Sequence, residues 1–223
     1  MENFKLYTAP DNRPMNPRML ALLREWHKTL CAYETEWSKV WEERGWGRSD
    51  LPYIWNQEAL VGILAFAAVK LDAYPFIEFG QDKSTPTRRG RQDLNIMYSS
   101  GRDWDSWTIE ASLVRIEPLT QEPGKLVEEK VRLAKEDALR QLEGNENREY
   151  DTGSIAIVFV TFTERPEDSG RETAENLFSH LTRRTKPDFA ALHLCRPDIL
   201  KKSDTPGQPG QAILGWYHDR KRL

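Results

Sequence analysis

The spacing of apolar side chains predicts two helices in the first third of the chain. Between Pro17 and Glu43, apolar residues recur at steps of three and four, which is the period of a helix with one buried face. The segment Ile54–Leu71 is apolar almost all round in its middle, which predicts a helix inside the fold. Residues 1–16 contain Pro10 and Pro14, and we expect an irregular lead-in there.

Strands and helices alternate in the remainder of the chain. Apolar runs predict strands at 74–80, 92–99, 106–116, 153–163, 188–196 and 211–219. Amphipathic periodicity predicts helices at 125–142 and 171–184. The branched and aromatic run at 153–163 is typical of a central strand covered on both faces. Turn-forming residues at 204–210 predict a loop.

This order of elements predicts an α/β fold with a mixed central sheet flanked by helices. We expect an N-terminal helical arm at 1–50 and an α/β domain at 51–223. The 39% of hydrophobic and 30% of charged residues suit a soluble globular protein. The most apolar stretch, 59–69, is shorter than the roughly 20 residues that a membrane span needs, so we expect no membrane segment.

Charge and cysteine content bear on the partners of the protein and on its cellular compartment. The formal net charge is −3, so any contact with nucleic acid has to come from local basic patches. Cys31 and Cys195 lie far apart and form no disulfide pattern, which favours a reducing compartment. The first residues lack the charged-then-apolar pattern of a leader. We therefore expect a cytoplasmic protein.

Two acidic residues lie in neighbouring predicted strands. Asp93 is in QDLNIMYS and Glu110 is in SWTIEASLVRI, 17 residues apart. Strands joined by a hairpin can direct two carboxylates into one cleft. Carboxylates are the ligands that Mg²⁺ prefers, and a metal so held can activate water and neutralise charge on a phosphate.

Four features in residues 54–163 resemble the PD-(D/E)XK nuclease superfamily. These are Glu58 near the start of a helix, Asp93 in RQDLNI, Glu110 in TIEAS where that family has E-x-K, and an amphipathic helix leading into IAIVFVTF. The resemblance implies a restriction-endonuclease-like α–β–β–β–α–β core. It implies Mg²⁺ or Mn²⁺ on Asp93 and Glu110 with Glu58 assisting, and hydrolysis of nucleic acid, DNA favoured. It also suggests work within a larger bacterial or phage system such as defence.

The chain departs from that family at Ser112, which stands where the motif has lysine. Lys130 is our predicted substitute, because it lies at the edge of the core face of its helix. Lys125 and Lys83 are alternatives. Catalysis is not the only interpretation: the chain could be an inactive nuclease-fold scaffold or a binding subunit of a larger complex.

Arg88, Arg89 and Arg91 form the densest basic cluster near Asp93. Arginine binds phosphate through two parallel hydrogen bonds, so these residues are predicted to hold a nucleic acid backbone. Exposed arginines in a loop are equally ordinary.

The candidate site residues also have ordinary interpretations. Asp93 and Glu110 could face solvent on alternating strands. An acid such as Glu58 is favoured in a first helical turn whatever the function, because of the helix dipole. Lys130 could be a solvated helix residue.

The N-terminal helix carries two further candidate features. Its tryptophans, Trp26, Trp37 and Trp41, are predicted to form a packing face, with a protein partner as one possible occupant. This surface would matter most if the acids were coincidental and the chain were an unrelated α/β interaction protein. His27 and Cys31 are four residues apart and could touch one metal, but no second pair is visible, and a structural role is the better interpretation.

Overall fold

The structure, a computed structural model, describes residues 3–9, 15–44, 56–80, 91–100, 103–116, 124–143, 153–164, 170–196 and 207–218. Over these ranges the chain forms seven strands and four helices. They are β1 (Phe4–Thr8), α1 (Pro17–Arg44), α2 (Gln57–Val69), β2 (Tyr74–Gly80), β3 (Arg91–Ser100), β4 (Asp103–Ile116), α3 (Gly124–Glu143), β5 (Gly153–Glu164), α4 (Gly170–Thr185), β6 (Phe189–Leu194) and β7 (Gly207–Tyr217).

The strands form one mixed sheet in the order β1-β6-β7-β5-β4-β3-β2. β2, β3 and β4 are an antiparallel meander. β5 then lies parallel to β4, with α3 as the crossover between them. β7 is antiparallel to both β5 and β6, and β1 is antiparallel to β6. The prediction of an α/β fold with a mixed, helix-flanked sheet is confirmed.

Each face of the sheet buries one pair of helices. α1 and α2 pack on the face that carries Ile155, Ile157 and Phe159 of β5, in one apolar cluster. α3 and α4 pack on the opposite face, which carries Val158 and Val160. Because both faces of β5 are covered, its sequence is a continuous apolar run, as predicted.

Two segments differ from the sequence prediction. The lead-in predicted as irregular contains β1, whose Phe4 and Leu6 pack against the cluster of α1 and α2. A five-residue edge strand has too little alternation to stand out from a proline-punctuated segment. β7 begins at Gly207, within the predicted loop, where a bulge shifts its register against β5. A bulge of this kind tolerates a proline such as Pro209, which has no N–H for the ladder.

α1 shares a core with the other described elements. Met19, Leu22 and Trp26 of α1 are fully buried in the cluster that also contains α2 and the sheet. Trp37 is partly buried against that cluster, and the side chain of Trp41 lies outside the described part of the chain. Trp26 and Trp37 therefore pack inward and do not support a tryptophan surface for a partner. The predicted boundary at residue 50 also falls outside the described ranges.

Within the described residues, no helix combines the length and the apolar character needed to cross a membrane.

Candidate functional site

Asp93 and Glu110 lie in neighbouring antiparallel strands, just beyond the last residues that pair between them. The ladder between β3 and β4 ends at Leu94 and Ile109, and the next contact is from the backbone N–H of Ala111, the residue after Glu110, to the side chain of Asp93. Residues directly opposite each other in a sheet point to the same face. Leu94 and Ile109 pack toward α1 and α2, so alternation directs Glu110 to the face of α3, whereas the carboxylate of Asp93 also reaches Gln57 of α2.

Asp93 is half-buried and ties three elements together. Its Oδ2 accepts a hydrogen bond of 2.7 Å from the backbone N–H of Ala111 in β4. The same oxygen accepts a bond of 3.1 Å from Nε2 of Gln57, in the first turn of α2. Asp93 therefore positions the β4 backbone immediately beside Glu110, whatever else it binds.

Glu110 has 0% of its surface exposed. In the parallel ladder it pairs with Ala156, and Ala156 packs against Ala138 and Leu142 of α3. Glu110 thus lies beneath the C-terminal half of α3. Buried acids are rare in proteins because removing a carboxylate from water is unfavourable, so this position indicates a specific role.

A row of polar side chains continues from the two acids along the same face. Asn95 of β3 donates from Nδ2 to Ser106 Oγ at 3.0 Å and to Thr108 Oγ1 at 3.2 Å. We call this set the polar band; it comprises Asp93, Asn95, Ser106, Thr108, Glu110 and Ser112. Sequence reasoning picked out the two acids but missed the amide and hydroxyls between them. These polar residues alternate with the apolar residues of β3 and β4, and that alternation could have shown that they share one face of the sheet.

Two further residues singled out in the sequence, Glu58 and Ser112, differ in their position relative to the polar band. Glu58 is exposed in the first turn of α2, next to Gln57, which contacts Asp93. Ser112 is half-buried two residues beyond Glu110, on the same face of β4. The structure therefore brings Asp93, Glu110 and Ser112 together and places Glu58 at the margin.

Lys130 is in the first half of α3. It precedes Ala138, which packs over Ala156, by eight residues, or about 12 Å along the helix axis. Helical side chains also lean toward the helix N-terminus, which directs Lys130 further from Glu110. Lys125 is exposed and lies earlier still in the helix. The role of either lysine at Glu110 stays a prediction.

The predicted phosphate-binding arginines are described only in part. Arg88 and Arg89 lie outside the described residues, as does Lys83. The backbone of Arg91 opens β3, but its side chain is not described. Their contact with nucleic acid stays a prediction.

A second cluster of polar side chains lies on the opposite face, between α1 and β6. His27 Nδ1 is 2.9 Å from His193 Nδ1, and Cys31 Sγ is 3.7 Å from His27 Nε2. Sequence spacing identified the pair on α1. It missed His193, which lies in an apolar strand 166 residues beyond His27, so that only the fold could bring it near.

Comparisons with known proteins give no match to this chain among family models, curated proteins or solved structures.

Proposed function

We propose that the polar band is a divalent-metal site for hydrolysis of phosphodiester bonds in nucleic acid. The observation that carries the proposal is the closeness of the two acids: the Asp93 carboxylate accepts a hydrogen bond of 2.7 Å from the backbone N–H of Ala111, the residue after Glu110. The donors of the band are all oxygens or a side-chain amide, a set that suits Mg²⁺ or Mn²⁺ rather than a softer ion. A metal held there would supply charge neutralisation and an activated water.

The succession of elements around the band supports the same proposal. α2, β2, β3, β4, α3 and β5 follow one another in the α–β–β–β–α–β order of the PD-(D/E)XK superfamily. In that succession Asp93 and Glu110 occupy the second and third strands, as the motif requires. Gln57 links the first turn of α2 to Asp93, which places the helix bearing Glu58 beside the acids.

A second candidate function is a nuclease-like scaffold that does not cleave. Ser112 provides no positive charge at the motif position, and Lys130 precedes the part of α3 that packs over Ala156 by eight residues. Glu110 is also fully buried, so a phosphate could approach it only after α3 or its surroundings move. In this alternative the protein would bind nucleic acid or a protein partner without cutting.

Restoring the motif lysine separates the two candidates. Purified wild type, Ser112→Lys, Asp93→Asn and Glu110→Gln would be incubated with single- and double-stranded DNA and RNA in Mg²⁺ or Mn²⁺. For an active site we expect Ser112→Lys to cleave at least about 10-fold faster than wild type, because a positive group would then stabilise the developing charge. Loss of either carboxylate should reduce cleavage by about 100-fold or more.

The matched control is Asp105→Asn, which makes the same chemical change elsewhere in β4. Nucleic acid binding is measured on the same samples by fluorescence anisotropy, and folding by circular dichroism. Binding without cleavage, even in Ser112→Lys, would establish the scaffold. Absence of cleavage, of nucleic acid binding and of calorimetric Mn²⁺ binding would overturn a nucleic acid function for the polar band.

A further inference from the structure

Three potential metal ligands from distant parts of the chain meet between α1 and β6. His27 and Cys31 are one helical turn apart and so share one face of α1. His193 points toward that face from β6, since its neighbours Ala191 and Cys195 at alternate positions pack in the cluster of α1. One ligating atom from each of His27, Cys31 and His193 lies within 4.8 Å of the other two. We propose that these three side chains bind a zinc ion.

The separations are close to those of a tetrahedral zinc site. Zinc bonds of about 2.0–2.1 Å to nitrogen and about 2.3 Å to sulfur place two nitrogens about 3.3 Å apart and nitrogen and sulfur about 3.6 Å apart. His27 Nδ1 is 2.9 Å from His193 Nδ1, and Cys31 Sγ is 4.0 Å from the same nitrogen of His27. Small rotations of the side chains are enough to admit the ion.

Glu34 provides the supporting contact that metal-binding histidines usually have. Its Oε1 lies 2.7 Å from Nε2 of His193, and the two side chains are 0% and 2% exposed. A carboxylate at Nε2 holds the proton on that nitrogen, which leaves the Nδ1 lone pair directed toward His27. Glu34 follows Cys31 by three residues, so the same face of α1 supplies both two ligands and the orienting acid.

Burial and neighbouring charges set the ionisation of the metal-free cluster. Burial, together with nearby Glu34, raises the pKa of Cys31 to about 11, so zinc binding must displace the thiol proton. Burial and the neighbouring His193 lower the pKa of His27 to about 4, despite the opposing effect of Glu34. His27 is therefore neutral near pH 7, the form in which imidazole binds metals.

Two nitrogens and one thiol are a donor set that suits Zn²⁺ and disfavours Mg²⁺. The fourth position can be taken by water or by Cys195, which lies two residues after His193 and is buried in the same cluster. β6 is separated from β4 by β7 and β5, and the cluster is on the other face from the polar band. The zinc site is thus independent of the proposed function.

Such a site would fasten α1 to the sheet. α1 packs against α2, and the His27–His193 contact joins it directly to β6. A zinc ion would replace the single contact between the two rings by three bonds. We therefore assign the ion a structural role.

The test uses the full chain, stripped with a chelator and then titrated with Zn²⁺ or Co²⁺. We expect one ion per chain, a higher melting temperature with zinc, and the near-ultraviolet charge-transfer band of a cobalt–thiolate bond. Cys31→Ser should abolish that band, and His193→Gln should weaken zinc binding at least about 100-fold. Glu34→Gln should weaken it by about 10- to 100-fold while keeping the stoichiometry and the band.

His180→Gln, on α4, is the matched control and should bind zinc as wild type does. Cys195→Ser identifies the fourth ligand: a changed cobalt spectrum assigns it to Cys195, and an unchanged one assigns it to water. Circular dichroism of each metal-free variant shows whether it is folded. No stoichiometric binding by the wild type would overturn the proposal, and so would a charge-transfer band that persists in folded Cys31→Ser. In that case the contact between His27 and His193 would be explained by a hydrogen bond alone.

Discussion

Replacing Asp93 with alanine removes the acceptor of two hydrogen bonds at the edge of the polar band. The N–H of Ala111 would lose its carboxylate partner at 2.7 Å, and the side chain of Gln57 would lose its partner at 3.1 Å. Ala111 is only 2% exposed, so water does not readily replace the lost acceptor. We expect Asp93→Ala to lower the free energy of unfolding even if Asp93 never binds a metal.

The magnitude follows from the two contacts. A buried N–H left without an acceptor costs about 1–3 kcal/mol, and the half-exposed bond from Gln57 contributes about 0.5–1.5 kcal/mol. Asp93→Ala should therefore destabilise the protein by about 2–4 kcal/mol. Asp93→Asn keeps an oxygen that can accept from Ala111 but loses the charge, so about 1 kcal/mol is expected.

Equilibrium unfolding in urea, followed by circular dichroism, measures both values. Asp105→Asn is the control, because Asp105 is in the same hairpin and forms an ion pair with Arg18 in which both side chains are about one-third exposed. Exposed pairs of this kind contribute about 0–1 kcal/mol. If Asp93→Ala destabilises the protein no more than Asp105→Asn does, our account of Asp93 as a positioning residue is wrong. Any loss of cleavage in Asp93→Ala would then be attributable to chemistry alone.

Four further changes test the packing, a helix cap and an ion pair. A Cβ at Gly215 would lie 2.0 Å from the buried ring of Phe189, so Gly215→Ala should destabilise by about 1–3 kcal/mol. No described heavy atom lies within 4 Å of a Cβ at Gly62, so Gly62→Ala in α2 should stabilise the protein by about 0.5–1 kcal/mol. If urea unfolding shows that the substitutions at Gly215 and Gly62 change stability in the same direction, this reasoning is wrong. Asn56 caps α2 by accepting from a first-turn N–H, so thermal unfolding should show a loss of about 1 kcal/mol for Asn56→Ala but not for Asn56→Asp. Desolvation raises the pKa of Glu128, but hydrogen bonds from a histidine and an arginine of α4 outweigh it, and the net pKa is lowered from 4.5. The stability from Glu128 is therefore present above that value and lost as the pH falls, so the melting temperatures of wild type and Glu128→Gln should converge in acid.

Local periodicity was enough to predict most of the elements of this protein. Each element has to bury a particular face, and its consecutive residues show which face that is. Examples are the three-and-four spacing in α1, the apolar middle of α2 and the continuous apolar run of β5. Elements with a weak local pattern were missed. The strand at Phe4–Thr8 is short, and the start of β7 contains a proline beside its bulge.

The sequence predicted which acids belong to the candidate site but not how they are arranged. Asp93 and Glu110 stand out in the sequence because carboxylates interrupt two apolar strands. Their separation along the chain did not decide whether they face each other, since a shift of one residue in the pairing would put them on opposite faces. The burial of Glu110 also depends on where α3 lies, which no pattern within β4 determines.

By itself, the sequence determined the succession of helices and strands and the α/β class, because these depend on neighbouring residues. Tertiary structure decided the strand order, the contact of Asp93 with the backbone beside Glu110, and the meeting of His27 and Cys31 with His193. Each of these depends on contacts between residues far apart in the chain. Such contacts form when the apolar faces of several elements are buried together, and one element's pattern does not specify its partner.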